Sequence, residues 1–323
     1  MGKTGYELGG AVSRRGVIAG AAAASLAAST EATSAERSAM ARYRFLQVDV
    51  FSPERFRGNP LAVVIGADDL SDDEMKLFSR WTNLSETTFL LRPSRPDADY
   101  RVRIFSVGEE LPFAGHPTLG TCHAWLASGG RPRGEIIQQE CGIGLVRLHN
   151  TGGRLAFEAP PLRRSTPMDA SMLAQAKKGL GLSDADIVAT RVLDAGLVQP
   201  ALMIRSRTKL LTLKPDWAAL GMDGVDGIGV IAPWSDQREA GQPDFEVRMF
   251  DKTLANFEDP VTGSLNASLA RWLIGARLAP EHYVVSQGTV LGRTGRVHVD
   301  QDADGVWIGG DTVSRIEGSL VLS

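Results

Sequence analysis

Glu110-Leu111-Pro112-Phe113-Ala114-Gly115-His116-Pro117-Thr118-Leu119-Gly120 marks the point where strand-like segments give way to a helix. Pro117 suits a first helical position, and Gly129-Gly130 supplies the stop. Gly115 leaves the backbone accessible, so the free amides of the first turn, with the helix dipole behind them, make an anion site. The device returns at Glu258-Asp259-Pro260-Val261-Thr262-Gly263-Ser264-Leu265-Asn266, which opens a helix from about Gly263 to Gly275. In that helix Leu265, Leu269 and Trp272 form an apolar stripe at i, i+4 and i+7. Either helix start alone reads as an ordinary capped helix. A pair of them predicts two small-residue N-termini facing each other across a cleft.

Upstream of the first helix, Leu46, Val48 and Val50 alternate with polar residues, and Gly58-Asn59-Pro60 turns the chain into a second strand, Leu61 to Ile65. Ser71-Asp72-Asp73-Glu74 is a capping box, followed by Leu77, Phe78 and Trp81 at helical spacing. Strands follow at Thr87 to Leu91 and Tyr100 to Phe105. In the second half, runs at Arg191 to Val198, Ala201 to Ile204, Gly227 to Ala232 and Phe245 to Phe250 precede the last helix, and short strands return from Tyr283. Strands then a helix, twice over, predict an α+β protein of two similar lobes more than a doubly wound parallel sheet. The expected boundaries are 43–155 and 156–323, with terminal strands crossing between the lobes.

The chain has 323 residues, 43% of them hydrophobic and 23% charged, with a net charge of −3. No basic face is implied, so neither nucleic acid nor an anionic membrane is an expected partner. Residues 1–42 differ in character. Ser13-Arg14-Arg15 precedes an Ala-rich stretch and resembles a twin-arginine export signal. Its apolar part, about 15 residues, is shorter than the ~20 of a membrane span, so no stable anchor is expected. Export would place the mature protein in the periplasm, whereas a plain Ala-rich extension would leave it cytoplasmic. Cleavage after Ala35 or after Ala41 would fit equally. Cys122 and Cys141 have no metal or redox spacing and read as unpaired.

Some motifs fail on context. Asp300, Asp302, Asp304 and Asp311 mimic a calcium loop, but Val297-His298-Val299 and Val306-Trp307-Ile308 alternate as strands around an Asp304-Gly305 hairpin turn. The glycine pairs lack a dinucleotide fingerprint, and the five histidines lack a third metal ligand. No cofactor and no metal are expected.

Asn83-Leu84-Ser85-Glu86-Thr87-Thr88-Phe89 lies between the capped helix and a strand. A carboxylate there, beside Leu84 and Phe89, is either a solvated loop residue or a partly desolvated proton carrier. Taken with the two helix starts, the segment closely resembles the PhzF-like family of phenazine-biosynthesis isomerases, from about Tyr43 to the C-terminus. Asp49-Val50-Phe51, Gly58-Asn59-Pro60, Gln287-Gly288 and Gly292-Arg293 share in the resemblance. It implies the diaminopimelate epimerase fold, with each lobe a curved mixed sheet around a central helix, and commonly a homodimer. It also implies that Glu86 is the acid/base and that His116 and Asp259 assist it or hold the substrate's polar groups, with His116 able to relay or stabilise the transferred proton. Gly115, Gly263 and Ser264 are implied to cradle a carboxylate by their amides, with Asn59 and Ser85 in the substrate-binding set. The implied reaction is a cofactor-free proton shift within a small anionic, amino-acid-like substrate.

Ser106-Val107 stands where many relatives have Thr-Pro, and Asp251-Lys252 where an apolar residue or Pro is commoner. Both segments are expected at the cleft edge, so a phenazine substrate does not follow. Two rivals are a same-fold racemase and an exported anion-binding protein. The racemase needs a thiol at each helix start, and Cys122 lies roughly 10 Å along its helix.

Overall fold

The computed structural model describes residues 41–322, apart from 108, 222–226, 236–238 and 255–257. The export signal read over residues 1–42 lies outside them as far as residue 40. Ala41 and Arg42 already belong to the first strand.

Strands β1 (Ala41–Val50) and β2 (Asn59–Ile65) pair antiparallel, with Val50 opposite Asn59. Helix α1 (Asp72–Thr82) begins in the expected capping box, Ser71 and Glu74 each bonding the other's backbone amide. It buries Met75, Phe78 and Ser79. The expected stripe is corrected here: Leu77 and Trp81 are 68% and 77% exposed, because they lie i, i+4 on the face next to the buried one. Strand β3 (Thr87–Leu91) returns parallel to β2, and β4 (Tyr100–Ser106) with β5 (Glu109–Leu111) forms a hairpin beside it.

Helix α2 (Gly115–Ala127) starts at Gly115, so Pro117 occupies its third position, not its first. That is tolerated because first-turn amides have no intrahelical acceptor to lose. Every residue from Gly115 to Cys122 is buried, and strands β1 to β4 surround the helix. A meander of β6 (Ile137–Cys141), β7 (Gly144–Thr151) and β8 (Arg154–Glu158) follows, β6 running parallel to β4. The boundary read at 155/156 falls within β8.

After β9 (Arg164–Thr166) and α3 (Ala170–Leu180), the order of pairing repeats. Strands β10 (Ile187–Asp194) and β11 (Val198–Ile204) form an antiparallel hairpin. The single strand expected over Arg191 to Val198 is broken at Gly196, whose φ of 112° turns the chain. Short helices α4 (Arg207–Thr212) and α5 (Trp217–Leu220) lead to β12 (Gly227–Pro233), parallel to β11. Next come β13 (Phe245–Asp251), β14 (Glu258–Asp259) and α6 (Gly263–Gly275), the last as expected. Strand β15 (His282–Gln287) is parallel to β13, and β16 (Gly295–Gln301) and β17 (Val306–Gly310) form the hairpin expected around Asp304-Gly305. Strand β17 pairs with β8, and the last strand, β18 (Thr312–Leu322), pairs with β1.

The fold is thus a mixed α/β arrangement in which a hairpin, a parallel return, a second hairpin and a buried helix occur twice in the same order. Leu265, Leu269 and Trp272 of α6 are buried, like the matching stretch of α2. Cys122 and Cys141 are free. Among the described residues no helix is long and apolar enough to cross a membrane.

Candidate active site

The two buried helices meet end to end. A Cβ on Gly115 would lie 2.5 Å from the carbonyl carbon of Gly263 and 2.7 Å from the Ser264 nitrogen, and one on Gly263 would lie 2.8 Å from Gly115 Cα. Only glycine lets the first turns approach this closely. Neither N-cap residue, Ala114 or Thr262, bonds a first-turn amide with its side chain. The positive ends of two helix dipoles therefore converge on one place.

Around that place lies a connected set of polar side chains. Asn59, at the start of β2, is fully buried, and its Nδ2 is 2.8 Å from Asp259 Oδ1, 2.9 Å from the Val261 carbonyl oxygen and 3.2 Å from His116 Nδ1. His116 Nε2 in turn lies 3.4 Å from Glu86 Oε2. The other oxygen of Asp259 accepts from Thr262 Oγ1 at 2.7 Å. Gln287 completes the support: its Oε1 accepts from the Thr262 amide and Asn266 Nδ2, and its Nε2 donates to Thr262 Oγ1 and the Asp259 carbonyl. Strand β14, which carries Asp259, is pinned by a buried bidentate pair between Arg248 and Glu258, with N···O distances of 2.9 and 2.6 Å.

Burial decides the charges. The Glu86 carboxyl is pushed up to about 8, first by loss of solvation and then by the nearby Asp259 charge. Asp259 is raised to about 6, again chiefly by burial, while bonds from Thr262 and Asn59 hold it down. His116 is lowered to about 3 by burial. The 3.4 Å contact between His116 and Glu86 is therefore a meeting of a neutral imidazole with a mostly neutral carboxyl at pH 7, not an ion pair. Glu86 Oε2 and His116 Nε2 are both buried without a hydrogen-bonding partner, as befits groups whose bonds tighten when a substrate closes the site.

Glu86, Asp259, Thr262 and Ser264 line a cavity of about 360 Å³, with apolar walls from Leu111, Leu197 and Met249. A second cavity of about 390 Å³ lies against Asn59, Ser85 and Arg293. Thr253 and Leu254 line both. Of the two segments expected at the cleft edge, Ser106 and Asp251 line the first cavity and Val107 the second, whereas Lys252 lines neither. Val107 holds a φ of 47° there, a left-handed conformation that opposes its branched Cβ. A larger concavity of about 820 Å³ near Arg271 and Arg277 touches none of the three motifs.

The structure brings Glu86, His116, Asp259 and Asn59 into one network and sets Gly115, Gly263 and Ser264 at the helix junction. Ser85 stands between two members of that network, 3.4 Å from Asn59 Oδ1 and within reach of the Glu86 carboxyl, which its side chain holds down. The reading from sequence missed Gln199, whose Nε2 reaches Ser264 Oγ at 3.4 Å from β11, and the bracing role of Thr262 and Gln287. A lone amide in the apolar run Val198 to Ile204 was the available signal for Gln199.

A profile of the PhzC-PhzF family, described as phenazine biosynthesis-like protein, matches residues 48–318. Antisense-enhancing sequence 1 of Schizosaccharomyces pombe is 36% identical over 300 residues, which is 88% of this chain and 100% of that protein. Trans-2,3-dihydro-3-hydroxyanthranilate isomerase of Pseudomonas aeruginosa is 33% identical over 280 residues, 86% of this chain and 95% of that one. A solved structure of a predicted epimerase from Pseudomonas aeruginosa superposes with a TM-score of 0.72 at 29% identity, covering 87% of this chain and 100% of the other. A probable proline racemase from Agrobacterium radiobacter shares the fold, with a TM-score of 0.57 at 13% identity over 87% and 93% of the two chains. With its paired helix starts and buried carboxyls, the chain belongs to the PhzC-PhzF family of phenazine biosynthesis-like proteins and is an isomerase of the diaminopimelate epimerase-like fold.

Proposed function

We propose that this isomerase moves a proton between two carbons of a small, amino-acid-like carboxylate, with Glu86 as the single acid/base and no cofactor. The observation that carries the reading is a buried carboxyl, raised to about 8, beside the junction of two uncapped helix N-termini. Ionised Glu86 takes a proton from carbon, and the electron pair spreads into the substrate's conjugated system. The same carboxyl returns the proton at a second carbon, so the double bond shifts and no atom is gained or lost. Negative charge developing on the substrate carboxylate is met by the amides around Gly115, Gly263 and Ser264. Asp259 faces the same cavity and suits a substrate ammonium. We take the repeated order of elements as two lobes, each a curved sheet around α2 or α6, with the site between them.

The similarity to trans-2,3-dihydro-3-hydroxyanthranilate isomerase supports this class of reaction. Its substrate is not carried over, because Ser106, Val107 and Asp251, where this chain departs from many relatives, line the cavities. A thiol racemase is disfavoured: Cys122 is buried within α2 and its thiol is pushed up to about 12. The test is solvent-hydrogen exchange in deuterated water, followed by NMR over a panel of cyclic and unsaturated amino acids. Exchange at a substrate carbon that vanishes in Glu86→Gln is expected. Tight binding that persists in that variant, without exchange in either protein, would instead favour an anion-binding protein.

For the segment that precedes β1 we propose a twin-arginine leader, supported by Ser13-Arg14-Arg15 before the Ala-rich run, and for the mature enzyme a homodimer. Export should fail in a variant with both Arg14 and Arg15 changed to Lys, and light scattering should give twice the chain mass. A cytoplasmic wild type or a monomer would sink the respective proposal.

A further inference from the structure

Asn59 has two amide hydrogens, and what it faces fixes where they point. Its Nδ2 is 2.9 Å from the Val261 carbonyl oxygen, a group that only accepts, and 2.8 Å from a carboxylate oxygen of Asp259. Turning the amide over would set its own oxygen against both. The hydroxyl of Ser85, 3.4 Å from Asn59 Oδ1, can donate to that oxygen and agrees with this orientation. The nitrogen that serves Val261 and Asp259 is also the atom 3.2 Å from His116 Nδ1. Three acceptors thus face two hydrogens, so one hydrogen is shared. A proton on His116 Nδ1 would point at a nitrogen that cannot accept it, so Nδ1 presents its lone pair.

His116 is 2% exposed, and a neutral imidazole has one ring proton. With Nδ1 bare, the proton sits on Nε2, the atom 3.4 Å from Glu86 Oε2. We propose that Asn59 is a positioning residue that locks His116 in the Nε2–H tautomer, so that His116 turns a donor and not a lone pair toward Glu86 Oε2, and takes no proton from it. This rests on the reading of Glu86 as the acid/base and changes two expectations drawn from the sequence. Asn59 is not a substrate contact, since its hydrogens are committed within the protein. His116 is not a relay, since its Nε2 is already protonated. As the site closes and that donor reaches Oε2, the migrating proton is left to Glu86 Oε1.

The test needs no substrate, so it can fail or succeed independently of the reaction assigned to Glu86. The full-length protein is labelled with ¹⁵N-histidine, and long-range ¹H–¹⁵N correlation separates lone-pair from protonated ring nitrogens. His116 signals are assigned by their loss in His116→Gln. Wild type should show Nδ1 bare and Nε2 protonated. Asn59→Asp, which puts an acceptor against Nδ1, should reverse the two nitrogens. A wild type with the proton on Nδ1 would overturn the proposal without any variant, and so would an Asn59→Asp protein that folds but keeps the wild-type pattern.

Discussion

Glu86→Gln is expected to lose about 10³-fold or more in turnover and to unfold at a higher temperature than the wild type at pH 8. The first effect follows from using one group as both acid and base. General acid–base catalysis supplies about 10² to 10⁴ at each proton transfer, and an amide replaces none of it. The second follows from linkage. Burial raises the folded carboxyl from its ordinary 4.5 to about 8. Between those values the folded chain holds a proton that the unfolded chain gives up. Stability from this group is therefore fully present below about 4.5 and lost as pH rises through about 8. Gln cannot ionise and suffers no such loss. Melting temperatures of the two proteins should converge near pH 5 and separate by pH 8, the shift corresponding to a few kcal/mol at most. Asp259, also raised, contributes a loss of the same sign in both proteins. An active Glu86→Gln, or identical pH dependence of melting, would remove Glu86 from the role.

A gain in stability from losing an active-site carboxyl is the usual relation of function to fold. Here its cause is local. Burial and the Asp259 charge oppose the ionised Glu86, and a bond from the Ser85 side chain favours it. The site holds a carboxyl close to its ionisation point because neither influence fully wins.

The elements legible in the sequence were those whose ends announce themselves. Ser71 to Glu74 capped α1, and Gly263 to Gly275 bounded α6 to the residue. The faces were harder. Leu77 and Trp81 looked like core and are exposed, whereas α2 is buried on all sides and offers no stripe to read. The meander from Ile137 to Glu158 and the pairing of β17 with β8 depend on contacts far apart in sequence, which no local pattern encodes. Within the site, Glu86, His116 and Asp259 were identified as residues, but their proton states were not. Those states follow from burial and from a single carbonyl, Val261, that orients Asn59. Gln199 stood out only as a lone amide in an apolar run and Gln287 only through the family resemblance, because both act through bonds to partners distant in sequence.

Gly115→Ala and Gly263→Ala should each cost about 3 kcal/mol or more and should not add. A Cβ at 115 meets the carbonyl carbon and Cα of Gly263 at 2.5 and 2.6 Å, and one at 263 meets Gly115 Cα and the His116 nitrogen at 2.8 and 2.9 Å. These obstacles are backbone, so no side chain can swing aside, and the cost belongs at the upper end of overpacking. The helices must instead part by about an ångström, a displacement that can cost on the order of 10²-fold in rate when it misplaces a site. Both substitutions demand the same separation. Once the first has forced it, the second finds the space largely made, so the double variant should fall short of the summed losses by at least ~1 kcal/mol. Denaturant midpoints of the three variants measure this directly. Additive losses would mean that the two glycines are strained independently and that the helix starts do not bear on each other. Shared loss of stability together with shared loss of turnover would tie the closeness of the two N-termini to the anion site they form.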